Sequence, residues 1–132
     1  MPQPFLKLVL CCLFALPALC QGATLSKTFN QCMDQHGNTT VKMHDCIRAE
    51  YHRQDQRLNT DYRKLMAQLP LADTEHLRQS ERAWLKQRQA KCEHAGDAEA
   101  GGTLQGVEVQ LCFVNETADR SVALERLLAK KR

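Results

Sequence analysis

The protein has 132 residues, with 18 Lys and Arg against 15 Asp and Glu and a formal net charge of +3. That length holds one small domain and not two. The near balance of charge argues against nucleic acid as a partner.

The chain begins "MPQPFLKLVLCCLFALPALCQGA". Lys7 supplies a basic start, and Leu8 to Leu19 form an apolar run too short to span a bilayer. No acidic residue precedes Asp34. These features predict a Sec-type export signal over residues 1–23, cleaved after Gly22 or Ala23, and a mature domain over 24–132 that is periplasmic or secreted. Cys20 raises a lipoprotein alternative, the one route by which this reading reaches a membrane. Against it, Leu19 stands where a lipid-attachment box has a small residue. Losing Lys7 leaves 17 basic residues against 15 acidic ones.

The mature sequence is helical in period throughout. Leu25, Phe29, Cys32, Met33 and His36 share one face of a first helix that stops at Gly37. Thr39 or Thr40 is placed to cap a long second helix, about Val41 to Leu69, that Pro70 ends. Ile47, Tyr51, Gln54, Leu58, Tyr62, Leu65 and Leu69 form its three-four stripe over roughly 40 Å. Asp73 or Thr74 is expected to cap a third helix reaching Cys92 to Ala95. "GDAEAGGTLQG" reads as a loop too polar and too flexible to be a packed element. A fourth helical region covers about Leu104 to Lys130, with a break or kink expected near Gly106 or "NETAD" and Thr117 as a second cap. The fold class is all-α, an antiparallel array of about four helices.

Seven cysteines are present, and Cys11, Cys12 and Cys20 lie in the signal or at its edge. The remaining four, Cys32, Cys46, Cys92 and Cys112, read as two disulfides with three possible connectivities. Helix order favours Cys32–Cys46 and Cys92–Cys112, each stapling a helix to the next. A metal reading of His44 with Cys46, or of Cys92 with His94, fails because two-residue spacing on a helix does not put both groups on one face. No C-x-x-C, C-x-x-C-H or H-E-x-x-H pattern occurs, so neither catalysis, metal nor small-molecule cofactor is expected.

Leu77, Glu81, Trp84, Leu85, Arg88 and Cys92 fall within one arc of the third helix. A charged group on an inward face needs a partner. Asp55, Leu58, Asn59 and Tyr62 repeat at matching spacing on the second helix. The expectation is that Trp84 packs on Leu58 and Tyr62 while Arg88 or Arg82 donates to Asp55 or Asn59. The competing reading makes Arg88 a receptor for an anionic ligand beside the ring.

These segments carry a resemblance. Asp-x-x-Leu-Asn-x-x-Tyr (Asp55, Leu58, Asn59, Tyr62), Arg-Ala-Trp followed by Arg and Cys (Arg82, Ala83, Trp84, Arg88, Cys92), Gly-Gly-Thr (Gly101, Gly102, Thr103) and a late Thr-x-x-Arg (Thr117, Arg120) occur in order. Together they resemble the LprI-like lysozyme inhibitor family. Glu81 and Gln89 depart from that pattern, which usually has Gln at the first position and often an acidic residue at the second. The resemblance implies a small exported helical protein with disulfides and lysozyme as its partner.

From Cys92 to Asp119 there is no Lys or Arg. Glu93, Asp97, Glu99 and Glu108, with Gly101, Gly102 and Thr103, make this segment the candidate partner-binding loop. Its acidity suits a basic lysozyme, and the adjoining disulfide would limit its freedom before binding. The expected function is occlusion of the lysozyme cleft. The alternative is a non-inhibitory envelope module that binds another protein or a cell-wall component.

Overall fold

In a computed structural model, residues 23–131 are described. Residues 1–22 of the expected export signal, Cys20 among them, lie outside the described residues.

Four helices account for most of the described chain: α1 Lys27–His36, α2 Thr40–Gln68, α3 Leu71–Glu93 and α4 Gln105–Ala129. Ser26 caps α1, its Oγ accepting from the Phe29 N–H at 3.1 Å. Gly37 closes the helix with its N–H on the Met33 carbonyl. A Cβ there would sit 2.4 Å from that oxygen, so the stop requires glycine. Thr39 caps α2 through an N–H of Lys42, as its place after a turn suggested.

Helix α3 departs from expectation at its start. Pro70, with extended backbone, is the N-cap, and its carbonyl accepts from Asp73 and Thr74. The helix therefore begins at Leu71. Asp73 sits inside the first turn, where its charge favours the helix dipole. Thr74 is buried and turns its hydroxyl back to the Leu71 carbonyl at 2.6 Å.

Helix α4 runs without the expected break. Gly106 lies against the His44 ring, where even a Cβ would be only 3.4 Å away. Thr117 caps nothing: it donates to the Phe113 carbonyl four residues back, as threonine does within a helix.

Both expected disulfides are present, Cys32–Cys46 and Cys92–Cys112, with Cα separations of 5.7 and 5.4 Å. Helices adjacent in sequence run antiparallel, so α2 and α4 run parallel. His44 with Gln110, Gln54 with Ser121 and Arg57 with Glu125 advance together along the two rods. This pair makes the most extensive contact, with α1 packed mainly on α2 and α3 mainly on α4.

Two apolar clusters result. One joins Phe29, Cys46, Ile47, Val107 and Val114; the other joins Leu58, Leu65, Leu77 and Leu124, with Tyr62 and Trp84 at its edge. Between them lies a polar waist of fully or nearly fully buried groups: Glu50 and Gln54 from α2, Thr117 and Ser121 from α4. Glu50 accepts from the Ser26 N–H and hydroxyl, from Arg53 and from Gln54, all within 2.8 Å. Further along, Arg57 grips Glu125 with two bonds of 2.6 Å. Those bonds hold the Glu125 carboxyl below its ordinary range and raise Arg57.

Candidate functional site

Two surfaces gather the residues singled out from the sequence. The first is a groove between α2 and α3, floored by α4 only where it passes Arg88. Its α2 wall presents Asp55, Leu58, Asn59 and Tyr62, and its α3 wall presents Arg82, Trp84 and Arg88.

The walls face each other, but the bonds expected across them are absent. Asn59 donates to the carbonyl and carboxylate of Asp55 on its own helix, at 2.8 and 3.0 Å. Arg82 is exposed and forms no hydrogen bond among the described residues. Arg88 donates instead to the Thr117 hydroxyl at 2.9 Å. Because α4, not α2, is the main support of α3, the floor helix is what Arg88 reaches. Its guanidinium also lies 4.6 Å from the Trp84 ring centre and 5.4 Å from that of Phe113. Trp84 itself does reach the cluster that contains Leu58 and Tyr62.

Glu81 likewise turns to α4. Arg120 reaches it through Nε at 2.9 Å and reaches the Ser80 hydroxyl through Nη2. The late Thr-x-x-Arg segment therefore clasps the Arg-Ala-Trp segment: Thr117 takes Arg88 and Arg120 takes Glu81. Sequence reading paired that segment with the wrong helix. The available signal was the four- then three-residue advance of Thr117, Ser121 and Leu124 along α4, which puts Thr117 on its inward face.

The second surface is the loop between α3 and α4. It holds more structure than its composition suggested, because Asp97–Glu99 form a turn of 3-10 helix. Gly96 is buried, and a Cβ there would lie 2.5 Å from the Gln105 carbonyl, so the close approach demands glycine. Gly101 has φ +80°, a left-handed conformation that glycine adopts freely, and its N–H donates to the Gln105 side chain. The Cys92–Cys112 bond closes the base.

Every candidate binding residue of this segment is exposed: Glu93, Asp97, Glu99, Gly101, Gly102, Thr103 and Glu108. Glu93 accepts from Gln89 and Asp97 pairs with His94. Among the described residues, Glu99 and Glu108 have no basic partner. The loop lies at the end of the molecule where α2 also begins, since Gly106 and Gln110 meet His44. Among the described residues no group of three or more His, Cys, Asp or Glu side chains could hold a metal, and no helix is long and apolar enough to cross a membrane.

An uncharacterized protein of Rhizobium meliloti is 27% identical over 143 aligned positions, which cover 95% of this chain and 93% of the relative. No solved structure matches the chain. The family model described as "Lysozyme inhibitor LprI" matches residues 32–124. That span takes in both disulfides, both walls of the groove, the acidic loop and the Thr117–Arg120 clasp, and the chain belongs to the LprI lysozyme inhibitor family.

Proposed function

We propose that the protein is exported and inhibits lysozyme by docking the acidic α3–α4 loop at the enzyme's cleft. The observation that carries this reading is the state of the loop. Its acidic side chains are exposed while its backbone is anchored at the Cys92–Cys112 bond and at the Gly96–Gln105 contact. A loop held in this way loses little freedom on binding. Two carboxylates at this end, Glu99 in the loop and Glu108 in the first turn of α4, have no basic partner among the described residues to give up. A strongly basic lysozyme would be drawn to this end, and the loop would then exclude substrate from the cleft that holds the two catalytic carboxylates.

Export is supported by the basic and apolar start of the chain and by two disulfides, which persist in oxidising compartments. The location proposed is the periplasm or the exterior. No catalytic step and no cofactor belongs to this reading.

Asp97→Asn, Glu99→Gln and Glu108→Gln combined should weaken lysozyme inhibition about tenfold at low salt. The difference should narrow as salt is raised, because exposed charges are screened. Turnover assays across a salt series measure both effects. Unchanged inhibition at low salt would remove the loop from the interface.

A further inference from the structure

The α2–α3 groove holds polar groups that have not met each other. On one wall, Asp55 is bonded, among the described residues, only to Asn59 of its own helix. On the other, neither Arg82 nor Arg88 has a carboxylate partner among the described residues. Arg88 spends one donor on Thr117, and its buried Nε has no acceptor among the described residues. Two cavities, of about 440 and 320 Å³, meet at this arginine. Each falls within the size range of small-ligand sites.

Arg88 is fixed before any ligand arrives, by the Thr117 hydroxyl and by the Trp84 and Phe113 rings. A guanidinium so held loses little freedom on binding, and its fork matches a carboxylate. An apolar occupant would cover Asp55 and the two arginines without satisfying them. A polyphosphate chain would meet Asp55 and Glu81 in the walls. A peptide offers what the walls do not give each other, a single carboxylate placed on Arg88 and N–H donors for Asp55. From Ile47 to Tyr62 the α2 wall runs about 22 Å at roughly 1.5 Å per residue, the span of about seven extended residues.

We propose that this groove binds an extended peptide segment bearing a carboxylate side chain, with the carboxylate on Arg88 and backbone N–H groups on Asp55. The site is separate from the acidic loop and does not rest on the lysozyme reading.

Trp84 is the only tryptophan, so its emission reports on the groove directly. The oxidised protein is titrated with an alanine–serine peptide of about seven residues, blocked at both ends, with one central glutamate. The same peptide with glutamine is the control. The glutamate peptide should change the emission saturably, and the glutamine peptide should bind at least about tenfold more weakly. Arg88→Lys, which keeps the charge but not the fork, should weaken the glutamate peptide about fivefold or more with helix content unchanged. Equal binding of the two peptides, or no saturable response at millimolar concentration, overturns the proposal. The exchange on the peptide decides the matter even where the Arg88 variant does not fold.

Discussion

Glu50→Ala should destabilise the protein by about 3 kcal/mol, read as a lowered urea midpoint. The carboxylate is fully buried and accepts four hydrogen bonds, two from Ser26 and one each from Arg53 and Gln54. Removing it strands donors from two helices in the polar waist. Arg53 is 38% exposed at its side chain and can turn to water, which limits the loss. Ser26 cannot respond so easily, because it is also the cap of α1. The damage should therefore appear as loosening of α1 against α2.

The same network sets a pH dependence. Burial pushes the Glu50 carboxyl up, but the hydrogen bonds from Ser26, Gln54 and Arg53 outweigh it and hold the group below its ordinary value of 4.5. A carboxyl lowered in the folded state adds stability above the unfolded value, and that stability is lost as pH falls through the folded one. The parent protein should lose stability below about pH 4.5. Glu50→Ala should lose less over that interval. A variant within about 1 kcal/mol of the parent at neutral pH would show the waist to be dispensable.

The second large effect concerns the two disulfides, which have different duties. Replacing Cys92 and Cys112 with alanine releases a loop of 20 residues in the unfolded chain. The expected loss is on the order of 3 kcal/mol, a fall of roughly 10–15 °C in melting temperature. At a temperature where the variant remains folded, lysozyme inhibition should also drop, because the acidic loop has lost its base. Replacing Cys32 and Cys46 should lower stability comparably and leave inhibition of the folded protein intact. Calorimetry together with turnover assays separates the two. Equal inhibition by both folded variants would mean that the Cys92–Cys112 bond does not prepare the loop.

Much of this fold was legible because the signals were local. Thr39 or Thr40 before an apolar run, Gly37 and Pro70 after such runs, and three-four spacing located the helices to within a few residues. The disulfide pairing followed from helix order alone. What local signals do not encode is which helix lies opposite which. Helix phase correctly turned Trp84 and Arg88 inward, but it could not reveal that α4 rather than α2 supports α3. The expected bond from Arg88 to Asp55 failed for that reason.

The polar waist was missed for a related one. Glu50 falls on the α2 stripe, three residues after Ile47 and four before Gln54, so its inward direction was readable. Its main partner, Ser26, precedes a different helix and became visible only when α1 was docked. The loop residues were chosen by composition. The 3-10 turn and the packing of Gly96 against Gln105 depend on α4 and left no mark in the segment itself.

Inhibition of lysozyme by this chain is open to one direct assay. The oxidised domain, residues 24–132, is added to a basic lysozyme acting on cell-wall substrate at low salt, and turnover is followed as its concentration rises. Turnover should fall saturably, and the triple amide variant of Asp97, Glu99 and Glu108 should reproduce that loss only at higher concentration. Undiminished turnover at a large molar excess of folded, oxidised protein would contradict the proposed inhibition.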